Sequence, residues 1–102
     1  MPQYILHKDG AYQVYSTVVD APLYDQALTL DELTEEVRAE GGQSAVDALP
    51  ARLRRAHKAG CSALPPLSLS ECIRGNRAGP DESHVPEDEF IARWLTLPQT
   101  SA

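Results

Sequence analysis

An Asp-Gly dipeptide, Asp9-Gly10, lies between two segments near the start of the chain that are rich in tyrosine, isoleucine and valine. Asp-Gly is a strong signal for a two-residue turn, because both positions readily adopt positive φ angles. The sequence therefore predicts a β-hairpin formed by residues 4–7 and 12–19. A lone hairpin is marginally stable in water, so this one needs a third strand, a covering helix or a dimer partner.

Helix signals follow the hairpin. Thr29 and Glu32 form a capping-box pattern, which predicts a helix over residues 30–40 that ends at Gly41. Proline or serine at the start of a segment predicts further helices over residues 50–59, 71–74 and 86–97. The polar, glycine- and proline-containing stretch between the last two predicts a long loop over residues 76–85.

These elements predict an α+β fold, with an N-terminal antiparallel β-hairpin or three-stranded sheet packed against three to four short helices that cover one of its faces. A chain of 102 residues has room for one core, so we expect a single compact domain over residues 1–98 and a flexible C-terminal tail over 99–102. The predicted core consists of Ile5, Val14, Val18, Leu30, Leu33, Val37, Leu49, Leu53, Ile73, Phe90, Ile91, Trp94 and Leu95.

Charge is unevenly distributed along the chain. The formal net charge is −6, yet residues 49–80 hold one acidic and six basic residues. An acidic chain lacks the excess of lysine and arginine that neutralises phosphates, so we do not expect direct binding to nucleic acid. The sequence has no run of about 18 apolar residues and no N-terminal export signal, which predicts a cytoplasmic protein that does not enter membranes.

The predicted first helix carries a dense set of acidic residues: Asp31, Glu32, Glu35, Glu36 and Glu40. Neighbouring like charges destabilise a helix by about 0.2–0.5 kcal/mol per pair, so helix stability alone does not favour them. Our hypothesis is that these carboxylates bind a basic surface of a larger protein, such as a surface that holds a nucleic-acid backbone. The alternative is a solvated helix face that promotes solubility.

A basic segment lies shortly after these acids and contains Arg52, Arg54, Arg55 and Lys58, with His57 among them. It has two interpretations: a site for an acidic partner or a phosphate, or an outer face that pairs with the acidic helix. Because the acidic excess lies just upstream, we expect pairing within the molecule.

Two imidazoles and two thiols, those of His57, Cys61, Cys72 and His84, are suitable ligands for tetrahedral zinc. Their spacing lacks the short paired intervals of zinc fingers, so we expect no metal and no cofactor. The chain also lacks a nucleophile elbow, a Walker loop, a dinucleotide-binding turn and an HExxH motif, and we expect it not to be an enzyme. A zinc-dependent regulator or a small enzyme built on these four residues is the competing hypothesis.

The leading hypothesis is a small, non-enzymatic interaction protein. In size and charge the chain resembles inhibitors and accessory factors encoded by phages and other mobile elements, including blockers of bacterial defence complexes that target nucleic acids. A third hypothesis is a homodimeric structural module, in which the hairpin edge or its tyrosines form the contact.

Overall fold

The computed structural model describes residues 3–97, and its strands form one antiparallel sheet in the order β1-β2-β3. The elements are β1 (Gln3–Lys8), β2 (Ala11–Ser16), β3 (Ala21–Pro22), α1 (Leu30–Ala59), α2 (Leu69–Ile73), a 3₁₀ turn (Pro80–Glu82) and α3 (Glu87–Trp94). The α+β fold is therefore confirmed. The tail predicted over residues 99–102 lies outside the described residues.

The Asp-Gly turn forms as the sequence predicts. Asp9 and Gly10 have φ angles of 49° and 82°, and Lys8 pairs with Ala11 across the two-residue loop. The second strand is shorter than predicted, because it ends at Ser16 and residues 17–20 turn the chain back into β3. This turn holds the side chain of Val18 in solvent.

Helical segments cover both faces of the sheet, whereas the sequence predicted cover on one face. Successive residues of a strand point to opposite faces, so Ile5 and Leu6 enter different hydrophobic clusters. The α1 face comprises Ile5, Tyr12, Val14, Leu33, Leu49 and Ala56. The opposite face comprises Leu6, Tyr15, Cys61, Ala63, Cys72, Ile73, Val85, Phe90, Trp94 and Leu95.

Helix α1 joins what the sequence predicted as two separate helices. It is interrupted at Gly42, whose φ of 68° and ψ of −160° are not helical, rather than ending at Gly41. Pro50, predicted as the first residue of a helix, lies inside α1. Gly60 ends α1 in the left-handed region, as predicted. Within residues 3–97 we find no helix with both the length and the apolar composition that crossing a bilayer requires.

Most of the predicted core is buried or partly buried, but two members are not. Val18 is 72% exposed because it lies in the turn between β2 and β3, and Leu30 is 43% exposed at the first position of α1. Val37, Leu53 and Ile91 are partly buried at the edges of the clusters.

The segment 76–85, predicted as a long loop, is held in place by a buried asparagine. Asn76 is 1% exposed, and its Nδ2 donates to the carbonyl oxygens of Ile73 (2.7 Å) and Val85 (2.9 Å). Its Oδ1 accepts from the backbone N–H groups of Ala78 (3.3 Å) and Val85 (3.0 Å). These bonds satisfy backbone groups on both sides of the 3₁₀ turn, in stretches that lack regular secondary structure.

Gln13, in β2, is a second buried side-chain amide that forms hydrogen bonds with backbone groups. It is fully buried, and its Nε2 donates to the carbonyl oxygens of Tyr24 (3.1 Å), Gln26 (3.3 Å) and Trp94 (3.1 Å). Its Oε1 accepts from the N–H groups of Val14 (3.1 Å) and Tyr24 (3.2 Å). One side chain thus connects β2, the segment before α1 and the C-terminal end of α3.

Candidate functional site

The five acidic residues predicted to bind a partner all lie in the first half of α1, and all five are exposed. They differ in what they contact inside the molecule. Glu32 completes the capping box, since its Oε1 accepts from Thr29 N at 2.9 Å. Glu35 forms an ion pair with Arg38, one turn further along the helix. Glu32 and Glu35 therefore have structural partners. The five acidic residues, which we call the acidic row, differ in their contacts more than the sequence suggests.

Glu36 and Glu40 lie next to Tyr24, which comes from the segment before α1. The Tyr24 hydroxyl donates to Glu40 Oε1 at 3.5 Å. Burial, followed by the negative charges of Glu40 and Glu36, raises the pKa of Tyr24 to about 12. Tyr24 therefore stays protonated at neutral pH and presents a neutral hydrogen-bonding group between two carboxylates.

These three residues line a cleft between α1 and the sheet with a volume of about 160 Å³. We call it the acidic cleft. Its other lining residues include Ile5, Val14 and Val37, which are buried or partly buried apolar residues. Gln3, Gly41, Ala45 and Arg52 complete its lining. The cleft thus combines an apolar wall with exposed carboxylates, which suits a side chain with an aliphatic stem and a cationic end.

Within residues 3–97 the basic segment over residues 52–58 forms no ion pair with the acidic residues of α1, so the expected pairing within the molecule is wrong. Among the described residues, 3–97, the ion pair within 4.0 Å is Glu35 with Arg38. Arg54 and Lys58 are exposed, and Arg55 Nε donates to the carbonyl oxygen of Ser62 at 2.9 Å. Arg52 follows Glu40 by twelve residues, a rise of about 18 Å in an unbroken helix, and the change of direction at Gly42 leaves the two sets of side chains outside ion-pair distance within residues 3–97.

The four proposed zinc ligands are held at three separate places. His57 lies beside His7 and Tyr12, Cys61 contacts Cys72, and His84 Nδ1 contacts the carbonyl oxygen of Asn76 at 2.9 Å. In the part of the chain that the structure describes, no three histidine, cysteine or acidic residues are grouped closely enough to hold a metal ion. The zinc hypothesis therefore has no assembled site within residues 3–97.

The two cysteines are buried as free thiols and form a hydrogen-bonded pair. The hydrogen bond from Cys72 lowers the pKa of the Cys61 thiol against the opposing effect of burial. The same bond, followed by burial, raises the pKa of Cys72. Their chemistry is that of a packed thiol pair within the core.

A cluster that the sequence did not predict joins the hairpin to the end of α1. The Tyr12 hydroxyl lies 2.6 Å from His57 Nε2, and the rings of His7 and His57 have centroids 4.5 Å apart. His7 Nε2 accepts from Gly10 N at 3.2 Å, which fixes the turn. Burial first, and then the neighbouring His57, lower the pKa of His7 below 6.5, while Asp9 opposes them.

This cluster predicts a pH dependence of stability. Because His7 binds a proton more readily in the unfolded chain, it favours folding above pH 6.5, and that contribution is lost as the pH falls through 6.5 and the lower folded-state pKa. Between about pH 7 and pH 5, the free energy of unfolding should fall more steeply in the wild type than in His7→Gln. Urea unfolding at a series of pH values measures this, and equal pH profiles would contradict it.

No protein family model, curated protein or solved structure matches the chain. The homodimer hypothesis also stays a prediction, since a single chain does not test it. Val18, Val19 and Leu23 are the exposed apolar side chains next to the edge strand β3.

Proposed function

We propose that the chain is a small interaction protein that binds a basic surface of a larger protein through the acidic cleft, as an inhibitor or accessory factor and without catalysis. The observation that carries the proposal is the position of Glu36 and Glu40 beside an apolar cavity. Both carboxylates are exposed, and no arginine or lysine within residues 3–97 forms an ion pair with them. Their charge is available to a partner.

The cleft suits an arginine or lysine side chain of that partner. The aliphatic stem would lie along Val37 and the sheet residues, and the cationic end would reach the two carboxylates. Tyr24 adds an aromatic ring, which attracts a guanidinium or ammonium group at close range. Such a contact is stronger than that of an isolated surface charge, because part of the cation is removed from water.

The rest of the acidic row extends the contact beyond the cleft. Glu32, Glu36 and Glu40 are spaced by four residues, so they rise along the helix by about 6 Å per step. A rigid row of carboxylates at this spacing can occupy positions that phosphates take on a basic surface. This supports a partner that normally handles nucleic acid.

The test compares Glu36→Gln/Glu40→Gln with the wild type in affinity capture from lysate of the source cells, followed by quantitative mass spectrometry. The double substitution should preserve the helix, since it removes like-charge repulsion. Binding of the true partner should weaken by at least roughly tenfold at low salt. In about 1 M salt, where the screening length is about 3 Å, the difference between variant and wild type should shrink.

A matched control is Glu87→Gln/Glu89→Gln, which makes the same charge change on exposed residues of α3. A protein retained by the wild type and by this control, but not by the cleft variant, would support the proposal. Equal retention by all three forms would exclude the acidic cleft from the interface.

A further inference from the structure

Two arginines without an acidic partner line a second cavity, at the outer edge of β1. This cavity has a volume of about 450 Å³, and we call it the arginine groove. Its lining includes Tyr4, Arg52, Arg55, Ser62 and Leu64. It adjoins the acidic cleft at Arg52, which lines both. Nothing in the proposed function uses the arginine groove.

Arg52 and Arg55 are one helical turn apart, so their side chains leave α1 on the same side. Each is only partly exposed, and within residues 3–97 no carboxylate lies within 4.0 Å of either guanidinium. Burial, and then the neighbouring charge of Arg55, lower the pKa of Arg52. Two partly desolvated cations are thus held side by side, an arrangement that an anion would stabilise.

Arg55 is fixed in place before any ligand binds. Its Nε donates to the carbonyl oxygen of Ser62 at 2.9 Å, and its terminal Nη groups carry the further donors that a ligand would use. Ser62 is itself anchored to β1, because its N–H donates to the carbonyl oxygen of Ile5 at 3.0 Å and its Oγ accepts from Ile5 N at 2.8 Å. A side chain held in this way loses little freedom on binding.

We propose that the arginine groove binds a phosphate group, either as the free ion or as part of a small organic phosphate, with Arg52 and Arg55 as its ligands. A phosphate offers three acceptor oxygens and close to two negative charges, which matches two guanidinium groups better than a single carboxylate does. A cavity of about 450 Å³ is within the usual range for small-molecule sites and exceeds the needs of a lone ion. Tyr4 and Leu64 then line the space for the organic part.

The experiment titrates the full chain with inorganic phosphate, adenosine 5′-monophosphate and adenosine, followed by amide NMR shifts and calorimetry. We expect saturable binding of the two phosphates, with shifts centred on Tyr4, Ser62 and Leu64, and no binding of adenosine. Tighter binding of the nucleotide assigns the site to an organic phosphate, and equal binding assigns it to the free ion. The absence of saturable binding by both phosphates would overturn the proposal.

Arg52→Gln should weaken phosphate binding by roughly tenfold or more, the effect of losing one charge-assisted contact. Arg54→Gln is the matched control, because it makes the same charge change on an exposed residue that does not line the groove. Arg55→Lys, which keeps the charge and loses the planar fork, gives a second reading if Arg52→Gln does not fold. Equal weakening by the control would show general charge attraction and overturn the proposal.

The phosphate titration tests the arginine groove separately from the proposed function of the acidic cleft. Glu36→Gln/Glu40→Gln, which should weaken binding of the partner protein, removes negative charge near Arg52 and should keep or tighten phosphate binding. Weaker phosphate binding by this variant would contradict a site formed by the two arginines.

Discussion

Replacing Trp94 with alanine should lower the free energy of unfolding by roughly 3–5 kcal/mol, a large part of the 5–15 kcal/mol typical of a domain. Trp94 is 6% exposed, and its ring centroid lies 5.1 Å from that of Phe90. The Arg93 guanidinium lies over the Trp94 ring, 4.7 Å from its centroid. Truncation to alanine therefore removes both buried area and a specific ring contact, and leaves a cavity between α3 and the sheet.

Urea unfolding of three variants checks this prediction. Trp94→Phe keeps an aromatic ring against Phe90 and should lose only about 1–2 kcal/mol. Val18→Ala provides the exposed control and should change stability by less than about 0.5 kcal/mol, since Val18 is 72% exposed. A loss for Trp94→Ala as small as that for Val18→Ala would mean that α3 contributes little to the core.

Replacing Gln13 with methionine should have a comparable effect, although methionine is similar in volume and apolar. The five hydrogen bonds of Gln13 satisfy backbone groups in three parts of the chain. Two of these bonds, to Trp94 O and from Val14 N, are buried, and each buried group that loses its partner costs about 1–3 kcal/mol, so we expect a total loss of roughly 2–6 kcal/mol. Hydrogen exchange should also quicken at the amide of Tyr24, which donates to Gln13 Oε1.

The matched control is Gln43→Met on the exposed surface of α1. Gln43 Nε2 donates to Asp47 Oδ1 at 2.9 Å, a single contact between exposed side chains. Its loss should change stability by less than about 0.5 kcal/mol. Similar losses of stability for Gln13→Met and Gln43→Met would contradict the prediction. They would show that water can replace the hydrogen bonds of the buried Gln13 amide without a loss of free energy.

Local signals in the sequence predicted the elements that short-range chemistry determines. The positive φ angles of Asp9 and Gly10 give the hairpin, and Thr29 with Glu32 gives the start of α1. The α+β class follows from these elements. The predicted extent of β2 and the predicted path of the chain at Gly42 were wrong. The sequence patterns around Val18 and Pro50 do not show which other parts of the fold cover these two residues.

The candidate site was predictable only in part. The acidic row is evident in the sequence, but the position of Tyr24 beside Glu36 and Glu40 depends on how the segment before α1 crosses the sheet. The arginines of the basic segment were predicted to pair with those acids, but they follow Glu40 by at least twelve residues, and within residues 3–97 none of them is in ion-pair contact with an acid. Neither buried amide was predicted, since a lone glutamine in a strand does not show whether it meets water or backbone.

Gly42 determines how the negative and positive ends of one helix are oriented. The first half of α1 holds five acidic residues and one basic residue, and the second half holds one acidic and four basic residues. A Cβ at Gly42 would meet nothing within 4 Å, so torsion alone restricts this position to glycine. A straight rod would carry the opposite charges along a single line. The charge distribution gives the helix a dipole in either form, and the two backbone angles of Gly42 set the direction of the negative half relative to the positive half, and with it the side from which a charged molecule is attracted.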